Sequence, residues 1–201
     1  NRVGDDRIIV AEMFKLLDEA DMIVAHNGQR FDMPRILGRG LVHGMAPPSP
    51  YKVLDTLLVA RREFGFMSNT LAALCEELGL PLKGDHKKFV GFALWSECLK
   101  GNDEAWKEMK EYNVRDIVVL EALYLRLRPY MRHHPNVVAQ ALEDGRPQCP
   151  KCGSAHVQFR GFATTPVGNK YRRFQCQECH GWGRLRLMEK GRIPIEGRNA
   201  V

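Results

Sequence analysis

Two short segments each offer a carboxylate to a divalent cation, Ala25-His-Asn-Gly-Gln-Arg-Phe-Asp32 and Tyr112-Asn-Val-Arg-Asp116. The first follows an apolar run and opens a helical pattern. The second lies inside a long helical pattern, where Tyr112 and Asp116 are i and i+4 and share one face. Carboxylate oxygens suit hard ions such as Mg²⁺ and Mn²⁺. Two such ions about 4 Å apart generate a nucleophilic hydroxide and stabilise the leaving oxygen in phosphodiester hydrolysis. Simpler roles stay open: Asp32 near a helix start complements the helix dipole, and Tyr112 with Asp116 makes an ordinary helix-surface pair.

The second constellation is made of thiols. Of six cysteines, the last four form Cys149-Pro-Lys-Cys152 and Cys176-Gln-Glu-Cys179. Each Cys-x-x-Cys turn lets two thiolates reach one ion, and two turns complete the tetrahedral shell of structural Zn²⁺. Four protein ligands leave no position for substrate, so this metal is expected to fold the segment rather than catalyse. His180 is a substitute ligand or a solvated side chain, and disulfides are the weaker reading in a reducing compartment. Cys75 and Cys98 fall on apolar helical faces and read as core.

The elements that must position these groups alternate. Residues 8–20 carry apolar side chains at helical spacing, and 21–25 form a short apolar run of the kind buried on both faces of a sheet. Helices are expected over 31–42, 69–80, 92–99 and 103–131, the last broken near Pro129, with a strand running into a helix over 51–59. The alternation predicts an α/β domain over 1–134. A linker follows over 135–146, then a small β zinc ribbon over 147–188 with three strands and a turn at Gly168-Asn169, then a disordered tail over 189–201.

Taken in order, Asn27-x-x-x-Phe31-Asp32, Leu54-Asp-Thr56, Leu71-Ala-Ala-Leu-Cys-Glu-Glu-Leu-Gly79 and Tyr112-x-x-x-Asp116 resemble the DnaQ-like 3′→5′ exonucleases of the ribonuclease H-like fold. The match is to the branch whose third motif carries tyrosine, and it covers about residues 8 to 131. The resemblance implies that Asp32 and Asp116 ligate Mg²⁺ or Mn²⁺, that Tyr112 orients the attacking water, and that Asp55 has an outer-shell role. Asn27, at the strand end, is placed to hold a backbone or a nucleotide, and Phe31 to pack beneath the sheet.

The first motif of that family, an Asp-x-Glu on an early strand, is not visible. Asp5 and Asp6 stand in a polar stretch and read as capping residues. The pattern starts at the helix after the fold's opening strands and leaves about two strands with an exposed apolar edge. The missing strands are expected upstream in the same gene product, in a separate chain, or through oligomerisation. An exonuclease-like domain followed by a zinc ribbon looks most like phage or prophage proteins, acting in the bacterial host cell.

Composition sets the outer bounds. With 201 residues, 44% hydrophobic and 27% charged, the chain holds one core plus an appendage and is not a disordered tail. A net charge of +6 favours a polyanion, most simply DNA or RNA. Arg160, Arg172, Arg173 and Arg184 interleave with Phe159, Phe162, Tyr171, Phe174 and Trp182. That pattern stacks on bases and pairs with phosphates, or else fills a small core beneath solubilising arginines. Lys83, Lys87 and Lys88 either guide a strand or form a solvated loop. No apolar run reaches the ~18 residues of a membrane span, and no signal-peptide pattern opens the chain, which predicts a cytosolic setting. The combined reading is a metal-dependent nuclease, with a non-catalytic nucleic-acid-binding subunit as the alternative; an endonuclease would look the same.

Overall fold

The computed structural model describes residues 5–82, 88–138, 147–186 and 198–199. The chain divides into two compact units, Asn1–Tyr124 and Leu125–Val201. The division falls inside the longest helix, ahead of the linker expected over 135–146, of which residues 139–146 lie outside the described residues.

The first unit runs α1 (Arg7–Glu19), β1 (Met22–Ala25), α2 (Asp32–Val42), β2 (Lys52–Asp55), α3 (Thr56–Glu63), α4 (Leu71–Glu77), α5 (Phe92–Leu99) and α6 (Asp103–Leu127). Helix α6 tightens into a 3-10 turn at Arg128–Tyr130, because Pro129 has no N–H to continue the α-helical ladder. Strands β1 and β2 pair in parallel from Met22↔Lys52 to Ala25↔Asp55, so both end at the same level. β1 has β2 as its one neighbour among the described residues, and all four of its residues are half-buried. The expectation of a strand covered on both faces is thus corrected. α1 covers Ile23 on one face, and among the described residues no second strand flanks β1.

Val10, Phe14 and Leu17 of α1 form a core with Ile23, Met33 and Ile36. Gly40 lets α2 approach closely: a Cβ there would lie 2.0 Å from the Phe14 ring. Asp6 does not cap α1 with its side chain. Its carboxylate instead receives Arg39 at 2.6 and 2.7 Å and His43 Nε2 at 2.7 Å, which hold it well below the usual carboxylate range. Asp5 accepts the Arg7 N–H at 3.1 Å. Farther along, Leu94 and Cys98 of α5 pack on Ala105 and Met109 of α6. Cys75 and Cys98 are buried, as their positions on apolar faces predict.

In the second unit β3 (Val157–Thr164), β4 (Lys170–Cys176) and β5 (Trp182–Arg186) form an antiparallel meander, and β6 (Arg198–Asn199) adds beyond β5. The sheet therefore has four strands rather than three, and part of the stretch expected as a disordered tail is a strand. The β3–β4 turn closes through Thr165 N–H to Asn169 O at 2.9 Å, with Gly168 at φ +85°. Phe174 is fully buried over Gly183, where a Cβ would come 2.2 Å from its ring. The chain after α6 is fastened to the first cysteine turn by Val137 N–H to Pro150 O at 2.9 Å and Lys151 Nζ to Pro129 O at 2.6 Å. Among the described residues, no helix is long and apolar enough to cross a membrane.

Candidate active site and four-cysteine centre

The loop leaving β1 is organised by one carboxylate on β2. Asp55 is buried, 4% exposed. Its Oδ1 accepts the N–H groups of Asn27 at 2.9 Å, Leu57 at 3.0 Å and Leu58 at 3.4 Å, and its Oδ2 accepts that of Gln29 at 3.1 Å. The same side chain therefore caps α3 and fixes the turn that leads into α2. Asn27 takes a left-handed conformation, φ +69°, which asparagine tolerates better than most residues. The chain then folds back through Phe31 N–H to Asn27 O at 3.0 Å and Met33 N–H to Gly28 O at 2.9 Å.

Gly28 is the point of closest approach. A Cβ there would fall 2.4 Å from Ala25 Cβ and 3.4 Å from Asp32 Oδ2. The Asp32 carboxylate thus lies over this glycine at the carboxyl end of β1, and its side chain is exposed. Phe31 departs from expectation. It is 50% exposed, with the Arg35 guanidinium 3.9 Å from its ring centroid, instead of packing beneath the sheet. The start of α2 at Asp32 turns residue 31 outward, and Arg35, one turn on, covers the ring.

His26 ties the strand ends together. Its Nε2 faces Asn69 O at 3.1 Å and its Nδ1 faces Thr56 Oγ1 at 2.9 Å, while the Thr56 hydroxyl also reaches Ala25 O at 3.0 Å. A carbonyl can only accept, so Nε2 carries the proton, and the single Thr56 hydroxyl proton goes either to Ala25 O or to Nδ1 of the neutral ring. Burial lowers the His26 pKa from its ordinary value, with the Asn69 carbonyl and the Asp55 charge opposing. Between that lowered value and the unfolded-chain value of about 6.5, the unfolded chain binds more protons, so stability falls as pH drops through the window. Moving from about pH 7.5 to 5.5 is thus expected to lower the urea midpoint of the wild type more than that of His26→Gln. The difference isolates His26 from His134, which burial shifts in the same direction. Equal drops would show that His26 does not take part.

A cleft of about 510 Å³ opens beside this turn, lined by His26, Asn27, Arg61, Ser68, Asn69 and Thr70 among others. Of these, only Asn27 stands out from the sequence. The readable signal for the rest is that both parallel strands end in paired polar residues, His26-Asn27 and Asp55-Thr56. Tyr112 and Asp116 sit one turn apart on α6, both half-buried and both engaged with neighbouring groups. The family comparison matches the RNase_H superfamily over residues 2–128. The chain belongs to the RNase_H superfamily. No curated protein and no solved structure matches it.

Members of the RNase_H superfamily usually hydrolyse nucleic acids and commonly use divalent metals, which indicates a nuclease-type function acting on nucleic acid. In this RNase_H superfamily chain, Asp32 and Asp116 have the hard oxygen donors that Mg²⁺ and Mn²⁺ take. Among the described residues, however, no three carboxylates or histidines converge on one point. The donor set that the described residues offer such an ion is therefore incomplete. Lys83 and Lys87 lie outside the described residues, and Lys88 is held by Glu104 through its side chain and by Glu108 through its N–H at 3.1 Å.

The four cysteines do converge. Their Sγ atoms all lie within 4.8 Å of one another, with Cys149–Cys179 and Cys152–Cys176 both at 3.6 Å. A tetrahedron with Zn–S bonds of about 2.3 Å has edges of about 3.8 Å, so the cluster fits zinc. The close Cys149–Cys179 contact lowers the pKa of one thiol, Cys179, and together with burial raises that of Cys149. A bound cation would replace the proton shared between them. Gly153 and His180 follow the two turns in the same left-handed conformation, φ +78° and +60°. His180 is exposed and stands outside the ligand cluster.

The arginines singled out in this RNase_H superfamily chain do not form one patch. Arg172 lies on the sheet face of Phe174, its guanidinium 3.7 Å from the Phe159 ring centroid. Arg173 and Arg184 pair across β4 and β5 on the opposite face, and Arg160 donates to Gln158 Oε1 at 2.8 Å.

Proposed function

We propose that this chain is a metal-dependent nuclease of the DnaQ-like type that removes nucleotides from the 3′ end of DNA or RNA. In this reading Asp32 and Asp116 hold Mg²⁺ or Mn²⁺, Tyr112 positions the attacking water, Asn27 steadies the substrate backbone, and the four cysteines hold structural Zn²⁺. The catalytic ions, when bound, supply hydroxide at neutral pH and neutralise charge on the leaving oxygen. The observation that carries the proposal is the Asp55 clamp. In an RNase_H superfamily chain it fixes Asn27 and the Asp32 turn at the shared carboxyl end of two parallel strands, where ligands of open α/β sheets bind. The open edge of β1 is where a strand carrying the remaining carboxylates would add, from an upstream segment or a separate chain.

The test is degradation of 5′-labelled single-stranded DNA with Mn²⁺. Stepwise shortening is expected, reduced ~100-fold or more in Asp32→Asn and in Asp116→Asn, the scale on which disturbing a metal site acts. The incomplete donor set among the described residues favours a second reading, a non-catalytic nucleic-acid-binding subunit. DNA retained without cleavage would select it.

A further inference from the structure

The ribbon sheet has two unlike faces. Alternation along β4 puts Lys170, Arg172, Phe174 and Cys176 on one side and Tyr171, Arg173 and Gln175 on the other. The Phe174 side is the core, since Phe174 and Leu185 are buried and Arg172 lies over Phe159. Register places Gln158 and Trp182 beside Gln175, and Arg184 opposite Arg173, on the second face. The Arg160 contact with Gln158 brings a third guanidinium there. Arg184 lies 4.7 Å from the Tyr171 ring centroid and Arg173 lies 5.6 Å from that of Trp182, which is 37% exposed.

This second face costs stability as it stands. Like charges directly opposite across strands repel, and this face carries Arg160, Arg173 and Arg184 while β3, β4 and β5 contain no Asp or Glu. Arg184 Nε is buried with no hydrogen-bond partner among the described residues. An anionic acceptor on this face relieves the repulsion. The rings add a second requirement, because Trp182 and Tyr171 offer flat surfaces that unstacked bases can use and that a duplex, with its bases already stacked, cannot.

We propose that the face bearing Arg160, Tyr171, Arg173, Trp182 and Arg184 binds single-stranded nucleic acid, its phosphates on the arginines and its bases on the two rings. The inference rests on the nuclease reading only in taking the ribbon's ligand to be that enzyme's substrate. Binding measured without turnover keeps the two separable. The full-length, zinc-loaded chain is titrated, without Mg²⁺ or Mn²⁺, into fluorescent oligo(dT) and oligo(U) of about 20 nucleotides, longer than the ~4–16 that a small stacking groove covers. Anisotropy is followed across a salt series, and each variant is used only after its zinc content matches the wild type.

Arg173→Gln with Arg184→Gln is expected to lower the slope of log K against log salt by about 1.4, twice the ~0.7 lost per phosphate contact on a single strand. Trp182→Leu should weaken binding about tenfold with the slope unchanged, as loss of one stacked base does. Arg172→Gln, on the core face, should leave both affinity and slope close to wild type. Binding of either oligomer carries the proposal, the tighter one naming the sugar. It is overturned if Arg172→Gln matches the double variant, if a duplex binds as tightly as the single strand, if Trp182→Leu has no effect, or if neither oligomer binds. Loss of cleavage with this binding pattern intact would count against the nuclease and leave the face standing.

Discussion

Cys152→Ser is expected to release the metal and unfold the sheet of β3 to β6 while the helices before residue 125 keep their structure. Structural zinc contributes an apparent ~10–16 kcal/mol, as much as the whole stability of an ordinary domain, roughly 5–15 kcal/mol. The buried hydrophobic set of the second unit is small, chiefly Phe174, Leu185, Leu127, Met131, Val138 and the cysteines themselves. Cys149 and Cys176, almost fully buried, would be left as thiols facing a hydroxyl instead of a cation. The damage should run back to the 3-10 turn, because Val137 and Lys151 tie that segment to the first cysteine turn. Zinc content and tryptophan emission, to which Trp182 contributes beside Trp95 and Trp106, report the ribbon, and far-ultraviolet dichroism reports the helices. Collapse of the entire helical signal would show instead that the two units fold as one cooperative body.

What could be read from the sequence is what short-range spacing determines. Two Cys-x-x-Cys turns each present their ligands locally, so the cluster required only that the turns meet. The α5 span is legible for the same reason, since its apolar period is closed at both ends by glycine, Gly91 and Gly101. The strand–helix alternation, with strands at 21–25 and within 51–59, followed from apolar runs of strand length. Long-range pairings were not legible. The partners of Asp6 lie 33 and 37 residues away, so a residue that looks like a cap fastens α2 to α1 instead. The outward turn of Phe31 depends on where α2 begins. Grouping Arg172 with Arg173 by composition ignores strand parity, which puts neighbours on opposite faces. Tyr112 and Asp116 are readable as an i,i+4 pair, but any approach to Asp32 is set by tertiary packing, which local spacing does not encode.

Asp55 was legible only as a minor candidate, and the structure makes it the residue on which the turn depends. Asp55→Asn is expected to destabilise the first unit by about 2–3 kcal/mol, and Asp55→Ala by about 3–5 kcal/mol. The carboxylate accepts from four N–H groups, three at Oδ1 and one at Oδ2. A carboxamide has one acceptor oxygen, so its better orientation serves Asn27, Leu57 and Leu58 and turns an NH₂ toward the Gln29 N–H. One donor is orphaned, and three charge-assisted bonds become neutral ones. Alanine orphans all four. The asparagine variant therefore stays folded with α3 still capped, while the 27–29 turn loses the anchor that sets Asn27 and Asp32. Turnover of single-stranded DNA with Mn²⁺ should then fall chiefly in kcat, because the carboxylate is misplaced, with a smaller rise in KM as Asn27 loses its anchor. A rise in KM with kcat unchanged would mean that the turn holds substrate rather than metal. An unchanged urea midpoint together with unchanged turnover would mean that the clamp does not position the site, and the reading of Asp32 as a metal ligand would lose its structural support.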